Sequence, residues 1–375
     1  MSQRRVLQVV GRLDRGGVET WLMHVLRHGA RQHVAMDFLV HSNLPASYDG
    51  EVEAFGSRVI RSPESPRKPW RYARALRRIM RNYGPYTAVH SHVHHFSGLI
   101  LREAHRVGVP IRIAHSHLDS RMVDRATGAL RRLYLMLMHH WIRLYATAGL
   151  AASALAAEAM YGISWRQDPR WRVLHYGIDL AAFSEVTNGP AEVRAEFGWD
   201  ADTFVIGHVG RFDTQKNHAF LVDIAAAVMA AAPGTRLLLI GEGGLRSDVE
   251  RRARTLGVAS KIVMTGVRPD VARLMAGAMD CFVLPSLYEG LPLVLLEAQA
   301  AGLPCIVADT VSDEADVIPE LVDRLSLAQP VARWAEATLA ARGRRLPVSL
   351  AVERLEDSGF SVAASWAQLF HVYSA

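Results

Sequence analysis

Short apolar runs recur along the chain, at residues 6–10, 37–40, 88–90, 111–115, 173–174, 204–209, 237–240, 262–265, 280–284 and 305–308. Runs that are apolar at nearly every position read as strands covered on both faces, the pattern of a parallel sheet. Helical periodicity fills most of the gaps, as at 19–26 and 219–229, and closes the chain at 360–373. Two of the strands open alike. Val10-Gly11-Arg12-Leu13-Asp14 is nearly repeated by Val209-Gly210-Arg211-Phe212-Asp213, and each is followed by a helical pattern. The same strand–loop–helix unit therefore occurs twice. The pattern predicts an α/β protein of two Rossmann-like parallel-sheet lobes. The expected lobes are residues 1–180 and 181–355, with 356–375 as a C-terminal helix packed back on the first. The loop-like stretch 181–190, with Asn188-Gly189-Pro190, marks the boundary.

Length agrees with this division, since 375 residues are comfortable for two domains. No run of about 18 apolar residues predicts a transmembrane helix. The opening Met1-Ser2-Gln3-Arg4-Arg5 leads straight into a strand, without the apolar stretch of a signal peptide. The two cysteines, Cys281 and Cys305, sit in apolar runs and read as reduced core thiols. The expected location is the cytoplasm, with peripheral contact on the inner face of the membrane. That contact is suggested by charge. Residues 1–180 carry 26 Lys and Arg against 13 Asp and Glu, whereas 181–375 carry 17 against 24. The basic half is expected to meet something anionic: a phospholipid surface, a lipid-phosphate acceptor or a donor phosphate. Segment 66–86 concentrates seven cations around Trp70, Ala73, Leu76 and Met80. It reads either as a basic amphipathic helix on a membrane or as an ordinary helix packed on its sheet. No nucleic-acid motif accompanies the charge.

The chemistry concentrates in the second half. Residues 284–298 (LPSLYEGLPLVLLEA) end a strand, pass through a loop and start a helix, with Pro292 expected at the first helical position. The free amides of such a helix start can hold an anion. Glu289 lies before the helix and can face a ligand. Glu297 lies inside it, where a carboxylate can accept hydrogen bonds from vicinal hydroxyls such as those of a ribose. In the loop 210–217 (GRFDTQKN), Arg211 and Lys216 reach one crevice, as two cations that would neutralise a diphosphate leaving group. Gly16-Gly17 would let backbone approach a phosphate closely, although a Gly-Gly pair is also an ordinary turn. The spacing is not GxGxxG, so it does not speak for a dinucleotide cofactor.

The Glu289-x7-Glu297 spacing, with the flanking AQAAGLP at 298–304, closely resembles the retaining family-4 glycosyltransferases of the GT-B fold. The branch it is most similar to builds bacterial exopolysaccharides and capsules. The resemblance implies two lobes facing across a cleft and a nucleotide-sugar donor, with UDP favoured. It implies a saccharide, lipid-linked or natural-product acceptor, and transfer without a metal or cofactor. By residue, it implies that Glu289 contacts the transferred sugar and Glu297 the ribose. The backbone of Gly290, Leu291, Pro292 and Leu293 would hold sugar and phosphate. Arg211 and Lys216 would take the diphosphate, and Gly16 and Gly17 would close over it. Gly241 would lie beside the donor, with Val267 and Arg268 at the nucleobase. The sequence departs from the family at Tyr176, where Asn is commoner.

The family also carries a histidine after the 111–115 strand, near the transferred sugar. His117 is the match, with His115 as the alternative two residues earlier. With His90, His92, His94 and His95 they form a cluster whose spacings fit no known zinc motif. Asp200-Ala201-Asp202 spells a metal-binding DxD but reads as a surface turn. Two other functions remain open at this point: a nucleotide-sugar epimerase on the same fold, and a non-catalytic sugar-nucleotide-binding protein at the membrane.

Overall fold

In a computed structural model, residues 4–30, 32–118, 128–185 and 189–374 are described. The chain divides into two compact units, Met1–Gly177 with Val362–Ala375, and Ile178–Ser361. The first unit is built on seven strands: β1 Arg4–Val10, β2 Val34–Val40, β3 Val59–Arg61, β4 Ala88–Ser91, β5 Ile111–Ser116, β6 Ala148–Ala151 and β7 Trp171–Val173. All pair in parallel, in the order β3-β2-β1-β4-β5-β6-β7. Its described α-helices are α1 Gly17–Ala30, α2 Asp49–Ala54, α3 Pro69–Tyr83, α4 Ser97–Arg106, α5 Ala129–Tyr145 and α6 Ala154–Tyr161.

The second unit has six parallel strands: β8 Val205–Val209, β9 Arg236–Ile240, β10 Ile262–Met264, β11 Cys281–Leu284, β12 Cys305–Ala308 and β13 Val322–Leu325. Their order is β10-β9-β8-β11-β12-β13. Its helices are α7 Ala181–Ser184, α8 Pro190–Ala195, α9 His218–Ala231, α10 Arg246–Thr255, α11 Val271–Gly277, α12 Leu293–Ala300, α13 Val331–Ala340 and α14 Val348–Asp357. Both sheets reverse strand order once, between β1 and β4 and between β8 and β11. In open α/β sheets ligands bind beyond the carboxyl ends of the strands at such a switch point.

The last helix, α15 Val362–Ser374, belongs to the first unit. The return therefore begins at Val362 rather than at 356. Polar anchors hold α15 there. The Trp21 indole donates to Ser365 Oγ at 3.1 Å, and the Trp366 indole to Gln32 Oε1 at 2.7 Å. Trp366 lies over Gly29, where a built Cβ would come within 2.6 Å of its ring. An aromatic side chain of this size dominates the burial energy of the contact.

Strands β3, β6 and β13 are absent from the apolar-run reading, for a physical reason. Val59–Arg61 is three residues long, Ala148–Ala151 is small-residued, and Val322–Leu325 carries Asp323 and Arg324 at its centre. Each is recruited by pairing with a stronger neighbour.

The structure decides between the two readings of the basic segment. In α3, Ala73, Leu76 and Met80 are buried with Tyr72 and Ile79 against Leu7, Val9 and Val89. The apolar stripe is spent on the core, and of the four stripe residues only Trp70 is exposed. The membrane reading of α3 is thereby corrected: it is an ordinary sheet-packed helix whose Arg71, Arg74, Arg78 and Arg81 are exposed and whose Arg77 pairs with the buried Glu103.

Candidate active site

In the second unit the loops after β8, β9, β10 and β11 are tied into one assembly. Gly210 N–H donates to the Ile240 carbonyl, Phe212 N–H to Glu242 and Gly241 N–H to Gly266, all within 2.9–3.1 Å. Gly241 has φ +140°, and a built Cβ would collide with the Gly210 carbonyl oxygen. Only glycine allows this approach. A Gly241→Ala variant is therefore expected to lose roughly 3 kcal/mol or more of stability, from strain and forced displacement together. Thermal melting would read this as a fall of roughly 10 °C in the Tm of this unit. A parent-like melt would contradict it.

The β8 and β11 loops meet directly. Leu287 N–H donates to the Gln215 carbonyl at 2.8 Å, and Asn217 Nδ2 donates to the Pro285 carbonyl at 3.2 Å. Asn217 reaches it from a left-handed conformation, φ +55°, which asparagine tolerates better than most residues. This brings Lys216 Nζ to 2.6 Å from Glu289 Oε1. The side chains are 14 % and 8 % exposed, so the pair is largely desolvated. Glu289 also accepts from Ser286 Oγ at 2.7 Å and from Gln215 Nε2 at 3.0 Å. Ser286 and Gln215 fix the carboxylate, and the sequence reading assigns them no role. Arg211 is exposed and makes no ion pair among the described residues.

Helix α12 begins one residue later than the sequence suggests. Pro292 is the residue that caps it, with φ −78° and ψ 99°, and Leu293 is the first helical residue. The apolar run from Leu293 continues helically only once the chain turns, and proline sits equally well just outside the first turn. Among the described residues the amides of Gly290, Leu291, Leu293 and Val294 find no acceptor, while Leu295 N–H bonds the Pro292 carbonyl. Four free amides beside a cation form an anion cradle. Glu297, the fifth residue of α12, is half-buried and has no partner among the described residues. Desolvation by burial pushes its carboxyl up to about 7. Two residues past β10, Gly266 has φ +74°, Val267 is exposed, and Arg268 grips Asp270 with two bonds of 2.7 Å.

In the first unit, Gly16 donates its amide to the Asp14 carbonyl and Gly17 starts α1. A Cβ on Gly17 would meet nothing within 4 Å, so packing alone does not require glycine there. The histidines form two ordered branches from Gln8 on β1. In one, Gln8 Nε2 donates to the Tyr373 hydroxyl at 2.8 Å, Tyr373 bonds His90 Nδ1 at 2.8 Å, and His90 Nε2 bonds His115 Nδ1 at 3.1 Å. In the other, His92 Nε2 bonds Gln8 Oε1 at 2.9 Å, His117 Nε2 bonds His92 Nδ1 at 3.1 Å, and the Tyr176 hydroxyl bonds His117 Nδ1. Gln8 has one donating and one accepting end, so the pattern closes with all four imidazoles neutral and protonated at Nε2. Burial, reinforced by mutual repulsion at His90, His115 and His117, lowers their proton affinity, to about 3 for His92.

His90, His92 and His115 bring one nitrogen each within 4.8 Å of one another. In this tautomer set their acceptor nitrogens are already used. The His90 and His115 rings are coplanar within 2°, with centroids 5.2 Å apart and facing nitrogens at 3.1 Å. That is an end-to-end hydrogen bond. An ion between them would need about 2.0 Å on each side. Of the two candidate sugar-facing histidines, His115 is fully buried inside β5, and His117 lies just past the strand end, half-buried. Both His117 nitrogens are engaged, one by Tyr176, which stacks on Trp21 at 4.6 Å. Tyr176 thus belongs to the histidine network, a role that its departure from the family pattern only hints at.

The family model described as Glycosyltransferase Family 4 matches residues 15–182, and that described as Glycosyl transferases group 1 matches residues 203–341. EpsF of Bacillus subtilis strain 168, named as a glycosyltransferase, is 37 % identical over 376 residues, covering 100 % of this chain and 97 % of its own. An Escherichia coli enzyme named UDP-Gal:alpha-D-GlcNAc-diphosphoundecaprenol alpha-1,3-galactosyltransferase is 29 % identical, over 60 % of this chain and 58 % of its own. Among solved structures, Anabaena HepE in complex with UDP superposes with a TM-score of 0.77 at 16 % identity, over 99 % of both chains. WaaG, a glycosyltransferase involved in lipopolysaccharide biosynthesis, gives 0.75 at 17 %, over 99 % and 100 %. These two likenesses concern the fold. Combined with a full-length relative and family models that cover both units, they lead to one assignment: the chain belongs to the family-4 glycosyltransferases, with the GT-B fold.

Proposed function

We propose that this glycosyltransferase moves a hexose from a UDP-sugar to a saccharide or lipid-linked acceptor during polysaccharide assembly, with retention of configuration and without a metal or cofactor. The observation that carries the reading is the cluster at the β8/β11 switch point: Lys216 on Glu289, four free amides at the start of α12, and the unpartnered Glu297. The galactosyltransferase named for UDP-Gal and the UDP complex of HepE support the donor class.

In this reading the ribose hydroxyls donate to Glu297. The diphosphate takes the α12 amides, Arg211 and Lys216, with the Gly241 loop beside it. The bond from the anomeric carbon to phosphate oxygen breaks, and its electron pair leaves with the diphosphate. The acceptor hydroxyl bonds the anomeric carbon from the same face and gives its proton to the departing phosphate oxygen. Cations and amides stabilise the leaving charge electrostatically. Glu289, released by Lys216, faces the sugar and balances positive charge at the anomeric carbon. His117 enters as a neutral imidazole whose Nδ1 exchanges the Tyr176 hydroxyl for a sugar hydroxyl. Gly16 and Gly17 leave open backbone for phosphate, and Val267 with Arg268 borders the base.

The test is thermal stabilisation by a panel of UDP-, GDP-, ADP- and dTDP-sugars with EDTA present. A ligand at 100 times its Kd stabilises by about 2.7 kcal/mol. One UDP-sugar is expected to raise the Tm, and EDTA to change nothing. A shift abolished by EDTA overturns metal independence, and no shift with any donor overturns the site. Conversion of the donor without any acceptor identifies an epimerase instead.

A further inference from the structure

The histidine circuit of the first unit lies at the switch point of its sheet. Gln8 on β1 pairs directly with His90 on β4, and alternate residues of a strand share a face. His92 and His117 come just past the ends of β4 and β5, where ligands of open α/β sheets bind. Behind them Gln8, His90 and His115 are fully buried, and Tyr373 of α15 is 1 % exposed.

A chain of neutral imidazoles can be ordered in two senses. Each ring has one N–H and one lone pair, so reversing one hydrogen bond reverses every bond after it. With the Gln8 carbonyl toward His92, His92 donates from Nε2 and accepts at Nδ1 from His117 Nε2–H. His117 Nδ1 is then left as an acceptor. With the Gln8 amide turned round, that branch reverses, and His117 Nδ1 becomes a donor. Two neighbours of Gln8 decide between these states. Its Nε2 lies 3.7 Å from Met36 Sδ and 2.8 Å from the Tyr373 hydroxyl. A thioether sulfur can only accept. The NH₂ end therefore belongs beside Met36, and the carbonyl end belongs at His92, 2.9 Å away. Tyr373 accepts the other amide hydrogen and donates its own to His90 Nδ1. Packing opposes ring flips: His92 stacks on His117 with centroids 5.1 Å apart, and the His90 ring lies 4.1 Å from His92. Burial keeps all four rings neutral, so each has a defined tautomer.

We propose that Gln8, His92 and Tyr373 are positioning residues for the transfer reaction: they hold His117 in its Nε2–H tautomer, so that Nδ1 meets the sugar as an acceptor. The inference rests on the proposed place of His117 beside the transferred sugar. A sugar hydroxyl donates to Nδ1 where the Tyr176 hydroxyl now does. The opposite tautomer would point an N–H at that hydroxyl and disfavour the same pose. The final helix thus takes part in the reaction from a distance, because α15 carries the hydroxyl that orients the Gln8 amide.

The test is ring-nitrogen NMR of the full chain with isotopically labelled histidine at neutral pH, with His117 assigned by its loss in His117→Gln. The parent is expected to show a protonated Nε2 and an unprotonated Nδ1 at His117. A protonated Nδ1 overturns the proposal. Tyr373→Phe deletes one oxygen, and Gln8→Leu deletes both polar ends at similar volume. Each should move His117 toward a mixture of tautomers and lower kcat roughly tenfold, the effect of one hydrogen bond. KM for the donor and stabilisation by UDP alone should hold. Gln32→Ala removes the acceptor of the Trp366 indole and loosens the same helix outside the circuit. It should lower the Tm and leave both tautomer and kcat unchanged. Parent-like kcat in the circuit variants, or a lower kcat with the His117 tautomer intact, overturns the proposal. If Gln8→Leu does not fold, Tyr373→Phe, which keeps every ring, carries the comparison. If no sugar nucleotide stabilises the protein, the transfer reading falls while the tautomer is still read, so the two failures are told apart.

Discussion

Replacing Glu289 by glutamine is expected to slow transfer by about 10²–10³-fold while leaving donor affinity at least as high as in the parent. The argument starts from the 2.6 Å bond between Lys216 and Glu289. Lys216 already has an anionic partner in a largely desolvated place. An incoming diphosphate must compete with that carboxylate. With glutamine at position 289 the lysine is free from the start, so part of the cost of binding disappears. The amide that replaces the carboxylate still meets Ser286 and Gln215, and the loop keeps its shape. What is lost is the negative charge that would balance the anomeric centre. The result is a split: KM falls or holds, and kcat collapses. Lys216→Met behaves differently. It leaves a buried carboxylate without its cation, which costs about 3–5 kcal/mol in comparable pairs, and it weakens donor binding as well as transfer. Steady-state kinetics and melting of both variants check the pattern, and parent-like turnover in Glu289→Gln removes Glu289 from the mechanism.

Acid is expected to unfold the protein before its ordinary carboxylates titrate. His90, His115, His117 and His208 have proton affinities driven well below the ordinary 6.5, first by burial. His92 falls to about 3, and His41 and His218 to about 4, for the same reason. Each imidazole is neutral in the fold and takes its proton near pH 6.5 once unfolded. Below that pH the unfolded chain binds more protons, so stability falls as pH falls, until the folded values are reached. Each histidine contributes about 1.4 kcal/mol per pH unit in that window. The four histidines of the network act in the same direction, so their effects reinforce one another as the pH falls below about 6.5. Both units hold such residues, since His208 and His218 lie in the second. Circular dichroism against pH should show cooperative loss of structure near about pH 5. A stability that stays flat from about pH 7 to 4.5 would contradict the neutral network.

Much of the proposed donor site was legible because its parts are close in sequence. Leu284 to Glu297 carries a strand end, a loop and a helix start within one segment, and Arg211 to Asn217 is another. Local chemistry names their roles: proline at a helix boundary, glycine where backbone must approach, and a carboxylate one turn inside the helix. The register was less legible, and Pro292 proved to cap α12 rather than begin it. The histidines were visible as a cluster but not as a circuit, because Gln8, Tyr176 and Tyr373 come from distant positions and a hydrogen-bond direction has no sequence signature.

Apolar runs and their spacing by themselves determined the two parallel-sheet units and the order of strand, loop and helix. Burial on both faces leaves a continuous hydrophobic signal that needs no partner to be read. Tertiary structure alone decided which charges are spent and which are free. Lys216 is taken by Glu289, Arg268 by Asp270 and Arg170 by Asp168, while among the described residues Arg211 and Glu297 have no ion-pair partner. It also decided which amphipathic helix keeps an apolar face in water. The sequence pointed to α3, whose stripe is consumed by the core, and passed over α5, whose outer leucines stand exposed. The reason is physical: periodicity shows that a helix has an apolar face, but only the packed neighbours determine whether that face is already filled.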